Sequence, residues 1–155
     1  MKLTTRARYG LKICLVLGVN HGYGYLPISD IASRCGYSQK YTEKIMRHLK
    51  AANIVQSEKG VAGGYQLTAP PDRLSIGEIL RALEDNLEFI DCVGGECAGS
   101  RCCPTHDVWR RLYEGINGLL NGIMLGDIVE DYKCAGGGRS DEQADIYGQC
   151  SNNKC

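Results

Sequence analysis

Residues 28–67 constrain the fold more than any other stretch of the chain. A helix is predicted from Ser29, with Ile28, Ile31, Ala32 and Cys35 at helical spacing, and it ends at Gly36, where a left-handed C-terminal turn is cheapest. Ser38 then caps a second helix running to about Ala52. Its inward positions are Tyr41, Ile45, Met46 and Leu49, while Gln39, Lys40, Glu43, Lys44, Arg47 and Lys50 fall on the opposite face. Alone, that pattern also suits a solvated helix of any small helical domain. The next residues decide between the two. Ile54, Val55 and Gln56 pair naturally with Tyr65, Gln66 and Leu67 across SEKGVAGG, a glycine-rich hairpin loop carrying Lys59. Two short helices around a tight turn, with a hairpin after them, predict a helix-turn-helix with a wing. The loop is not a nucleotide-hydrolase phosphate loop, because no Gly-Lys-Ser/Thr closes it and no long helix starts there.

Charge supports a polyanionic partner. The chain is neutral overall, yet residues 1–75 hold 11 Lys and Arg against 4 Asp and Glu, whereas residues 76–155 hold 7 against 14. A basic half joined to an acidic half points to nucleic acid on the basic side. The apolar run at residues 11–19 is short, contains Lys12 and precedes no small-residue cleavage site, so neither a signal peptide nor a membrane span is expected and a cytoplasmic location is. In that setting nine cysteines, an odd number, favour metal or redox chemistry over a disulfide framework.

Flanking elements complete the outline. A first helix is expected over residues 4–20, capped by Thr4 or Thr5, with Leu11, Cys14, Leu15 and Val19 on its apolar face and Cys14 as a buried structural thiol. Ser75 with Glu78 reads as a capping box heading a helix with Ile76, Ile79, Leu80 and Leu83. Residues 91–107, DCVGGECAGSRCCPTHD, hold four cysteines and a histidine in a Gly- and Ala-rich loop, a donor set that suits zinc or an iron-sulfur centre. Pro104 at a first helical position would put Cys103 at the cap and His106 in the first turn. The helix from Thr105 to about Met124 spaces Val108, Leu112, Ile116, Leu119 and Ile123 almost as heptads, which favours pairing with a second copy. A short helix is expected after it, over residues 125–132. Beyond Lys133 the polar tail, with Cys134, Cys150 and Cys155, carries too little apolar surface to order itself.

The order of parts and many literal residues resemble the IscR-like winged-helix regulators that carry an iron-sulfur cluster. The likeness covers roughly residues 1–130 and rests on MKLTTRARYG, ISDIASRCGYSQKYTEKIMRHLKAANIV, GVAGGYQL, CPTHDVWR and LGDIV. It implies a mainly α fold with a small β-wing. The division is a winged helix-turn-helix domain at 1–75, a linking helix and cluster loop at 76–104, a dimerisation helix with a short successor at 105–132, and a tail at 133–155.

The resemblance implies cluster ligands Cys92, Cys97, Cys103 and His106, three thiolates and an imidazole as in the family's 2Fe-2S form, with 4Fe-4S or zinc as alternatives. This chain departs from the family spacing: four residues, not five, separate Cys92 from Cys97, and Cys102 adjoins Cys103. Cys103 is preferred because five residues separate it from Cys97 and it precedes the Pro-Thr-His turn. The implied function is a homodimeric, non-enzymatic transcription regulator binding a pseudo-palindromic DNA operator. Arg6, Ser38, Gln39, Lys40, Tyr41, Glu43, Lys44 and Arg47 would face the DNA, with Lys59, Gly60, Val61, Ala62 and Gly63 as the wing. Glu43 would discriminate between operator classes. One alternative is a DNA-binding protein with a structural zinc Cys3His site; another, a small electron-transfer iron-sulfur protein, would leave the basic helix and wing unexplained.

Overall fold

The computed structural model describes residues 3–60, 62–84 and 103–137. Helix α1 spans Thr5–Val19, α2 Ile28–Cys35, α3 Gln39–Ala51, and the strands β1 and β2 are Val55–Glu58 and Gly64–Leu67. A short 3-10 turn at Pro71–Arg73 leads to α4, Ile76–Leu83, and after residues 85–102 come α5, His106–Gly122, and α6, Leu125–Tyr132. The architecture is mainly α with a small two-stranded antiparallel wing, as the sequence predicts.

Helix α1 is central. The Thr4 side chain caps it by accepting the Ala7 N–H at 3.2 Å. Helices α2, α3, α4 and α6 all pack on α1, so its buried arc is wider than the single stripe of Leu11, Cys14, Leu15 and Val19. Ala7, Ile13, Cys14, Val16 and Leu17 are buried, while Leu11, Leu15 and Val19 are only partly covered. A helix enclosed on several sides loses the one-faced pattern from which its orientation would be read.

The α2–α3 turn forms as its sequence demands. Gly36 adopts φ 71°, and the Tyr37 N–H closes the helix end on the Ala32 carbonyl at 2.9 Å. The Ser38 hydroxyl accepts the Tyr41 N–H at the head of α3. Buried Thr42 satisfies its hydroxyl on the Ser38 carbonyl at 3.1 Å. Ile45, Met46 and Leu49 fill the core beneath.

In the wing, Val55 pairs with Leu67 and Glu58 with Gly64. Ile54, expected within the strand, lies just before it, with its N–H closing back on the Leu49 carbonyl at 2.9 Å. Leu26 adds a one-residue third strand: it and Tyr65 exchange both backbone hydrogen bonds at 2.9 Å. Only glycine is possible at 64, because a Cβ there would lie 2.3 Å from the Leu26 carbonyl oxygen.

The second half closes back on the first. The Ser75–Glu78 capping box forms at the head of α4, and Ile79 and Leu83 are fully buried. Leu83 sits against bare α1 backbone at Gly10, where a Cβ would lie 2.3 Å from its Cδ1. Helix α6 reaches α1 through Leu125 and Val129, the latter against Gly18. Its entry is stapled by Ile76 N–H to the Ile123 carbonyl at 2.9 Å and Leu125 N–H to the Leu74 carbonyl at 2.8 Å.

Helix α5 is different in kind. None of its residues is buried, and Leu119 is 70% exposed, with Val108, Trp109 and Leu112 also open to solvent. It meets the rest of the fold through partly buried Leu120, which packs against the core, and through Arg81 of α4 donating to Asn121 Oδ1 at 2.6 Å. A Cβ built at Gly115, Gly118 or Gly122 would meet open space. Among the described residues no helix is long and apolar enough to cross a membrane.

Candidate nucleic-acid interface and cluster loop

The outward face of α3 carries Gln39, Lys40, Glu43, Lys44 and Arg47, all exposed. A rigid cap and a filled inner face hold these side chains on a fixed helix axis, which major-groove reading requires. Lys50 is diverted from that face, since its Nζ donates to the Ser57 hydroxyl and ties the end of α3 to β1. Tyr41 is half-buried: its ring meets Tyr9 edge-on at 5.8 Å, and Tyr9 in turn stacks on Tyr37 at 4.2 Å. Lys12 lies 5.6 Å over the Tyr37 ring. This aromatic stack braces the turn between the two reading helices.

A cavity of about 300 Å³ opens beside α3, lined by Thr4, Arg6, Tyr41, Lys44 and Ile45. Arg6 and Lys44 give it positive charge, so it suits a backbone phosphate. The same residues are anchored to the exit of α4. Arg6 Nε donates to the Leu83 carbonyl. The Thr4 backbone N–H and hydroxyl donate to Glu84 Oε1 at 2.7 and 2.8 Å. Leu83 and Glu84, the last described residues before the cysteine loop, are therefore hydrogen-bonded to the N-terminal end of α1, next to α3.

On the other side of the loop, Cys103 is exposed and its Sγ lies 3.3 Å from Thr105 Oγ1. Hydrogen bonds from the Thr105 side chain and backbone hold its thiol below the ordinary range, which favours the thiolate that a metal needs. His106 opens α5, with its N–H on the Cys103 carbonyl at 3.2 Å. The regular helix thus begins at His106 rather than Pro104, with Thr105 rather than Cys103 as the cap residue, because the first bond is the tighter three-residue kind. Cys92, Cys97 and Cys102 lie outside the described residues, as does Val61 in the wing. Among the described residues no three metal-ligating side chains gather. The two described members of the donor set fit a soft metal or cluster: an exposed, acidified thiol and an imidazole three residues on.

A family model described as an iron-dependent transcriptional regulator, Rrf2, matches residues 3–131. The chain belongs to the Rrf2 family. It is 36% identical over 132 residues to the HTH-type transcriptional regulator IscR of Aliivibrio salmonicida, covering 84% of this chain and 79% of that protein. It is 35% identical to IscR of Klebsiella pneumoniae, covering 84% and 81%. Among solved structures, CymR, the global cysteine regulator of B. subtilis, superposes with a TM-score of 0.70 at 30% identity, covering 84% of this chain and 98% of that one. IscR of T. potens gives 0.70 at 29% identity, covering 92% and 94%. These relatives are named as regulators rather than enzymes. This Rrf2 member is thus a transcriptional regulator with a winged-helix fold.

Two features of this Rrf2 chain have little or no signature in its sequence. The Tyr9–Tyr37–Tyr41 stack has a partial signal, since Tyr37 and Tyr41 sit at i and i+4, but Tyr9 comes from a distant helix. The Thr4–Glu84 pairing spans 80 residues and has no local signature.

Proposed function

We propose that the protein is a cytoplasmic, homodimeric, sequence-specific DNA-binding regulator that reports iron-sulfur cluster supply, through Cys92, Cys97, Cys103 and His106, to genes of cluster assembly. The observation that supports the reading lies on the N-terminal side of the cysteines: Leu83 and Glu84, the last described residues before Cys92, are hydrogen-bonded to Arg6 and Thr4 beside α3. Lys40, Lys44, Arg47 and Arg6 contact phosphate, while Ser38, Gln39, Tyr41 and Glu43 stand over base edges or the adjoining backbone. Lys59, Gly60, Val61, Ala62 and Gly63 enter the neighbouring minor groove. A carboxylate at Glu43 accepts from cytosine and repels phosphate, so it narrows the set of operators.

The open apolar face of α5 supports the dimer. Val108, Leu112 and Leu119 leave surface that a second α5 would cover, and two-fold pairing gives a pseudo-palindromic operator. When bound, a 2Fe-2S centre with one imidazole ligand supplies a less negative, more easily lost group than an all-thiolate one. The chain's own part is mechanical. Glu84 holds Thr4, which stands in the wall of the α3 cavity.

The test is anaerobic purification followed by visible absorption, iron and sulfide analysis, and operator binding by loaded and stripped protein over a salt series. A coloured protein whose DNA affinity depends on loading is expected. Its binding should fall with salt at a log–log slope of about −0.9 per phosphate neutralised. A colourless zinc protein would remove the cluster reading, and a flat salt dependence would remove the DNA surface.

A further inference from the structure

Between the α1–α2 connection and the wing runs a groove of about 630 Å³, which no described residue of α3 lines. One wall is Tyr23, Tyr25 and Pro27. The other is the wing, with Lys59, Gly60 and Gly63. Tyr23 is 85% exposed, and it is held out rather than loosely hanging. Gly22 and Gly24 on either side adopt φ 90° and 94°, the Tyr23 N–H donates to the Asn20 carbonyl at 3.1 Å, and Asn20 Nδ2 donates to the Gly24 carbonyl at 3.1 Å. The connection is then locked to the wing by the Leu26–Tyr65 exchange. A single exposed aromatic needs no special reason. An aromatic fixed on a double-glycine turn, facing the wing across a continuous groove, does need one.

We propose that this groove seats the sugar-phosphate strand of operator DNA flanking the sites read by α3, with Tyr23 contacting that strand from the side opposite the wing. The proposal rests on the reading of α3 and the wing as the DNA surface and extends it by one contact. Continuity decides the occupant, because the groove shares Lys59, Gly60 and Gly63 with the wing itself. Its walls offer what a DNA strand requires: a cation for phosphate, glycine backbone that admits close approach, and tyrosine rings whose faces suit deoxyribose and whose hydroxyls donate to phosphate. Glu58 also lines the groove. Its carboxylate keeps phosphate toward the Lys59 and Tyr23 side and turns the sugar inward.

The experiment uses full-length protein and a duplex selected by it from a random library, synthesised in two lengths: trimmed to the half-sites, and extended by about one helical turn on each side. Tyr23→Ala is expected to weaken binding about five- to tenfold on the extended duplex, the worth of one lost polar contact, and to leave the trimmed duplex unchanged. Lys59→Ala, from the opposite wall, should lose more on the extended duplex than on the trimmed one. Arg47→Ala serves as the control and should weaken both. If Tyr23→Ala binds both duplexes like the parent, or loses equally on both, while Arg47→Ala weakens both, the groove contact is wrong and the reading of α3 stands. If Arg47→Ala is also without effect, the DNA surface itself is misplaced. An unchanged thermal midpoint for Tyr23→Ala shows that the fold is retained, as its exposure requires.

Discussion

Helices α1 and α5 are of similar length, yet one is enclosed by four helices and a strand while the other has no fully buried residue. Apolar surface is put to two uses in this chain. Helix α1 turns it inward, into a core that fixes the DNA-reading helix. Helix α5 leaves Val108, Leu112 and Leu119 in the open, the surface that the proposed dimer would cover. Two thiols show the same contrast. Burial pushes the Cys14 thiol up to about 12, whereas Cys103, at the head of α5, is exposed and acidified by hydrogen bonds to Thr105 and His106.

Four measurements probe the two helices and their surroundings, in order of decreasing effect. In stripped, native protein at neutral pH, iodoacetamide should alkylate Cys103 about a thousandfold faster or more than Cys14 or Cys35, because only the thiolate reacts and the buried thiols are neutral and shielded. Peptide mapping over time checks this, and early labelling of Cys14 would show that the α1 core is not closed. Next, Leu49→Ala should cost about 2–5 kcal/mol in denaturant unfolding, through a cavity under the reading helix. By comparison, Leu112→Asp with Leu119→Asp should convert the proposed dimer to monomer in sedimentation equilibrium. The unfolding free energy of dilute, monomeric protein should then stay within about 0.5 kcal/mol of the parent. A large loss in the monomer would place those side chains in an internal core instead.

The smallest effect concerns the capping box. Ser75→Ala should cost about 1 kcal/mol. Hydrogen bonds from the Ser75 backbone and hydroxyl hold the Glu78 carboxyl below the usual glutamate range. A depressed carboxyl pKa contributes stability that is fully present above the unfolded value and is lost as pH falls through the folded one. Glu78→Gln should therefore flatten the acid side of the stability profile and leave the region above pH 7 parallel to the parent. An unaltered acid limb would mean that the carboxylate form contributes nothing there.

Local signals carried most of the winged half. Gly36 marked a helix end because only glycine takes its left-handed turn cheaply, and Ser38 and Ser75 marked helix starts through side-chain oxygens that sequence displays directly. The exposed face of α3 was equally legible, since a one-sided helix keeps its period. Orientation failed in α1 for the opposite reason. With partners all round it, no stripe is privileged, and Ile13 and Leu17 are as buried as Cys14. What could not be read at all was pairing over distance: Thr4 with Glu84, Leu26 with Tyr65, and the staple between Leu74 and Leu125. Each joins groups that are ordinary in their own neighbourhoods. Of the expected ligands, Cys103 and His106 have a described setting, and Cys92 and Cys97 lie outside the described residues.

The staple at Leu74, Ile76, Ile123 and Leu125 also has a bearing on synthesis. It joins the start of α4 to the start of α6, so the core is closed by groups far apart in the chain. A ribosome delivers residues in order, and α1 remains open along Gly18 until Leu125 and Val129 have emerged. By then Cys92, Cys97, Cys103 and His106 have already been made. Residues 92–106 are therefore synthesised before Leu125 and Val129 can cover α1 along Gly18.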